Sequence, residues 1–121
     1  MFMLEGEVLN LLLTKYSESN HPRAKISFLR LAIARAMTIA PEFKEELTEL
    51  KRRLRNIASQ ANWEAFNAYQ VAGRWDFVGN DNNYFIFADL LAELDDIAHA
   101  LMTIYEKKKA ELLRLLEEGI K

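Results

Sequence analysis

Apolar residues recur every three or four positions through two long stretches of this chain. The first stretch runs Phe43, Leu47, Leu50, Leu54, Ile57, Ala61, and the second runs Tyr84, Phe87, Leu91, Leu94, Ala98, Leu101, Tyr105. Side chains three and four apart share one face of an α-helix, so each stretch predicts a helix with a continuous apolar seam. Two such helices in series fold back most simply as a long helical hairpin. Two shorter amphipathic stretches precede them. Residues 3–16 place Leu4, Val8, Leu11 and Leu12 on one side, with Leu9, Leu13 and Tyr16 beside them. Residues 22–39 place Ile26, Leu29, Ile33, Ala36, Met37 and Ala40 on one face, and Phe28, Ala32 and Ile39 widen the apolar arc.

Punctuation agrees with this periodicity. The polar run at 17–21 ends the first helix, and Pro22 suits the first position of the second, where a missing N–H leaves no bond unmade. Ala40-Pro41 ends the second helix, because a residue before proline avoids the α region. Glu42, Glu45 and Glu46 then place acids in the first turn of a third helix, where they complement its dipole. The third helix is expected over 42–72, with a break near Asn62 as the alternative, since the register is lost around 59–62. Turn chemistry in the 73–83 segment, GRWDFVGNDNN, separates it from a fourth helix that ends near 118. A β-hairpin pairing 75–78 with 84–87 is a minor alternative. The expected fold is therefore all-α: an antiparallel bundle of four helices, or five if the third breaks, built on a long helical hairpin.

With 121 residues the chain is read as a single domain spanning 1–121. Half of its residues are hydrophobic and the formal net charge is -2, a balance that suits a packed core rather than disorder. Cysteine is absent, so disulfides and thiolate chemistry are excluded. Residues 1–13 lack a basic run and carry Glu5 and Glu7, unlike a signal peptide. The longest apolar stretch, 26–40, is interrupted by Arg30 and Arg35 and falls short of the roughly 20 residues of a membrane span. A cytoplasmic protein with no membrane association is expected.

Helix length adds a further expectation. Two short helices tethered at Pro41 can cover only half of a long hairpin, which leaves an apolar stripe for another molecule, most economically a second copy. Aromatic residues crowd the uncovered end. Trp63, Phe66, Tyr69, Trp75, Phe77 and Phe85 are the expected contact surface, because such side chains anchor interfaces with few rotamers to freeze. The same residues would also serve as a packed cap on the hairpin. The function expected is a non-enzymatic interaction or assembly module, a homodimer or the partner of another helical protein.

Charge supplies the alternatives. Between residues 19 and 41 the only charges are Arg23, Lys25, Arg30 and Arg35, while from 76 to 106 there are seven acids and no base, an asymmetry suited to pairing. Lys44, Lys51, Arg52 and Arg55 project from one shoulder of the third helix, and Arg53 is placed to pair with Glu49. Such a basic stripe can rest on phosphates, so a DNA- or RNA-binding regulator is the second reading, against an overall pI of about 5.7. Asp95, Asp96 and His99 have metal-like spacing but supply one carboxylate–histidine set where a di-metal bundle needs two. No nucleophile elbow or phosphate loop is present. No catalytic residue, metal ligand or cofactor is assigned.

Overall fold

The computed structural model describes the backbone of residues 2–60 and 81–120, and the side chains of 6–59 and 90–119. Among these residues every regular element is helical. Helix α1 spans Phe2–Glu18, α2 spans Pro22–Ile39, a 3-10 turn covers Pro41–Phe43, α3 spans Lys44–Gln60 and α4 spans Asp81–Ile120. The β-hairpin alternative fails, because residues 84–87 lie inside α4. Their apolar-aromatic run was compatible with a strand, but it continues in helical register into the Leu94 seam. The break at Asn62 and the 61–72 part of the expected third helix lie outside the described residues.

Local chemistry accounts for the helix ends. Pro22 opens α2, and the Nδ1 of His21 accepts the Arg23 N–H at 3.1 Å, capping an amide that the helix leaves unpaired. Ala40 leaves the helical region at φ -136 and ψ 64 while its N–H still donates to the Ala36 carbonyl at 2.8 Å. The third helix begins two residues later than expected. Pro41–Phe43 wind as a 3-10 turn, closed by the Phe43 N–H on the Ala40 carbonyl at 3.0 Å, a common way for a helix to start.

The buried apolar side chains form one continuous cluster. Helix α2 is its centre and packs against α1, α3 and α4. Its broad apolar arc explains this: Ile26, Leu29, Ala32, Ile33, Ala36 and Ile39 are all buried and point to more than one neighbour. From α3 the core takes Leu47, Leu50, Leu54 and Ile57, as its periodicity requires. Two faces differ from expectation. On α1 the buried residues are Leu9, Leu13 and Tyr16, whereas Leu11 is exposed. On α4 they are Leu90, Leu94, Ile97, Leu101, Ile104 and Tyr105, with Leu91 and Ala98 only half-buried. The seam is rotated by about 80° from the Leu91–Ala98 line on a wheel of ~100° per residue.

Length separates α4 from its companions. With 40 residues it is about 60 Å long, whereas α1, α2 and the described α3 reach about 26 Å each. Beyond Tyr105 none of its described residues is buried. Two observations tie the 3-10 turn and α3 to α4. Lys108 reaches Glu42 at 2.8 and 3.1 Å, and Arg53, Asn56, Ile57 and Glu93 line one hollow of about 230 Å³. None of the described helices is long and apolar enough to cross a membrane.

Candidate functional site

Most of the expected contact surface falls beyond reach. Trp63, Phe66, Tyr69, Trp75 and Phe77 lie outside the described residues. Phe85 belongs to the backbone of α4, but its side chain also lies outside them.

The basic stripe is described in full. Lys44, Lys51, Arg52 and Arg55 are all exposed on α3. Arg52 is engaged by Glu49 through two hydrogen bonds, one of them at 2.9 Å from Nε. That fork holds the Glu49 carboxyl below its ordinary range and raises the guanidinium, through the hydrogen bond first and charge second for Arg52. Glu49 was expected to pair with Arg53. Arg53 instead sits half-buried at the hollow shared with Glu93 of α4, on the side of α3 that faces its neighbour.

Lys51 and Arg55 do not stand alone. With Arg30 of α2 they rim a hollow of about 360 Å³ floored by Ile33, Ala34, Met37 and Leu54. A second hollow, of about 260 Å³, shares Arg30 and adds Arg23, Ile26, Ser27 and Ala58. The groove between α2 and α3 therefore has a charged lining that is entirely cationic, over a largely apolar floor in the first hollow. Such a lining suits an anionic group carried on an apolar body, and the first hollow has the size of a small-ligand site. Arg30 was legible in the sequence as an interruption of an apolar stretch and as one of four cations between residues 19 and 41. Its place beside Lys51 and Arg55 required α2 and α3 to pack.

A second polar cluster joins three helices. The Tyr16 hydroxyl donates to Asp95 Oδ1 at 2.5 Å. Lys25 Nζ donates to the Tyr16 carbonyl at 2.9 Å and lies 4.1 Å from the centre of the Tyr16 ring. Burial first, then the hydrogen bond and charge of Asp95, push the Tyr16 phenol well above its ordinary value. Burial pushes the Lys25 ammonium down, partly offset by the Asp95 charge. These groups satisfy one another, so their arrangement serves to fix α1, α2 and α4 together rather than to present a reactive group. Asp95 is thus engaged by Tyr16 rather than grouped with Asp96 and His99, which are exposed. Among the described residues no three His, Cys, Asp or Glu side chains converge as a metal site.

An apolar surface missed in the sequence lies on the last turns of α4. Leu113, Leu115 and Leu116 are 47 %, 47 % and 59 % exposed, and Leu112 is half-buried. The 3,4 repeat that begins at Tyr84 ends at Tyr105, short of these leucines. No protein-family model, curated protein or solved structure matches this chain.

Proposed function

We propose that this chain is a non-enzymatic protein–protein interaction or assembly module that works as a homodimer. The carrying observation is the length of α4, 40 residues set beside described helices of 17 and 18, with a buried seam that among the described residues runs from Leu90 and stops at Tyr105. A helix that outreaches its own bundle has apolar surface to share with another molecule. In this proposal α3 and α4 form an antiparallel hairpin. The reading is supported by the Glu42–Lys108 pair at one end and the Arg53–Glu93 hollow at the other. Trp63, Phe66, Tyr69, Trp75, Phe77 and Phe85 form the contact at the aromatic end of that hairpin. A cytoplasmic setting belongs to the same proposal and is supported by the absence of cysteine.

Sedimentation equilibrium tests it. In dilute protein the expected result is a mass of two chains that falls toward one when Trp63, Phe66 and Trp75 are changed to serine together. A monomer at every concentration removes the dimer.

The cationic lining of the α2–α3 groove favours a second reading, a DNA- or RNA-binding regulator that uses Lys44, Lys51, Arg52 and Arg55. Binding would then fall steeply as salt is raised and weaken when these four become glutamine. Salt-independent binding, or none, ends that reading.

A further inference from the structure

The stripe that buries α4 in the bundle does not stop where the bundle does. Leu90, Leu94, Ile97, Leu101, Ile104 and Tyr105 are buried, and the same arc continues through Lys108, Leu112, Leu115 and Leu116. Lys108 is the last of these tied to the bundle, through Glu42. The final turns thus carry an overhanging helix-packing face with no described cover.

Beside that face four charges recur at spacings of four, three and four: Lys107, Glu111, Arg114 and Glu118. This spacing keeps them on one flank of the helix, and the Arg114–Glu118 pair at 3.5 Å shows two of them side by side. Read forward, their signs are plus, minus, plus, minus. Read backward, they are minus, plus, minus, plus. Two copies laid antiparallel about the midpoint of Leu112 and Leu113 therefore oppose Lys107 to Glu118 and Glu111 to Arg114. Two copies laid parallel about a two-fold turn this flank to opposite sides of the seam, so none of these opposite-charge pairs forms there.

We infer that the end of α4, residues 107–118, is an antiparallel self-docking segment that pairs with the same segment of a second copy. The inference rests on the assembly reading but not on the aromatic end, and it adds a second, isologous contact with its own register, through which two-chain units associate further as concentration rises. Leu112, Leu115 and Leu116 supply the apolar seam, and the flanking charges choose orientation more than strength, since each is exposed.

Charge-swapped full-length chains test it. Lys107→Glu with Arg114→Glu makes the flank wholly acidic, and Glu111→Lys with Glu118→Lys makes it wholly basic; neither pair touches Lys108 or the core. Each variant alone should associate at least tenfold more weakly than the parent in sedimentation velocity, and an equimolar mixture should recover the parent's association. Circular dichroism checks that both variants keep their helix. A Leu115→Gln, Leu116→Gln chain should be weakened alone and not be recovered by mixing with either charged variant. If both charged variants associate as the parent does, the self-docking segment is overturned while the assembly reading stands. A parent chain that is monomeric at every concentration overturns both.

Discussion

Tyr16 shows what a single side chain can decide. A buried phenol needs a partner for its hydroxyl, and Asp95 provides one from a helix 79 positions further along. Tyr16→Phe should cost about 1 kcal/mol at neutral pH, at the low end for a hydrogen bond to a charged group because the exposed Asp95 regains water. The pH dependence follows from the raised phenol. In the unfolded chain tyrosine ionises near 10, while folded Tyr16 keeps its proton beyond that. Above pH ~10 the unfolded state therefore binds fewer protons than the folded one, and stability falls as pH rises. Lys25, with its value lowered on folding, contributes the opposite slope below its unfolded value, and that contribution is present in both chains. Urea midpoints at pH 8 and pH 11 check this: the parent's advantage over Tyr16→Phe should shrink at the higher pH. An advantage that does not change with pH would contradict the assignment.

At the scale of elements, α4 divides into a part that holds the core and a part that does not. Leu101 is fully buried, so Leu101→Ala should destabilise by about 2–5 kcal/mol, the loss of a core leucine plus its cavity. Leu113→Ala removes the same atoms from an exposed position and should change stability by less than ~0.5 kcal/mol in the monomer. Chemical denaturation of dilute protein measures both. The same helix shows how far periodicity reads. A 3,4 repeat identified the helix and Leu94, Leu101 and Tyr105 within its seam. It missed Ile97 and Ile104, because an apolar arc wider than one face leaves its centre to the neighbour that packs on it. On α3 the i,i+3 and i,i+4 choices for Glu49 were close in helix geometry. Arg52 took the carboxylate, and Arg53 was drawn to the side facing α4.

At the scale of the whole molecule, the mismatch of helix lengths links fold to proposed function. It was an expectation for the aromatic end of a hairpin, which lies outside the described residues, and among the described residues the overhang is at the other end of α4. The cationic α2–α3 groove belongs to this scale as well. Arg30 comes from one helix, Lys51 and Arg55 from another, and only packing makes them neighbours.

Where helices begin and end was written in local chemistry, and it needed no partner to be read. Proline at 22 and 41 restricts its own φ and the residue before it, and a repeat of three and four places leucines on one face wherever the helix lies. All-α character follows from these local rules. Packing alone selected which edge of each apolar arc went inward, joined Tyr16 to Asp95, gathered three cations around one groove and left the leucines near residue 115 uncovered. Each of those outcomes depends on residues far apart in the chain meeting in space, a relation that periodicity along one helix does not contain.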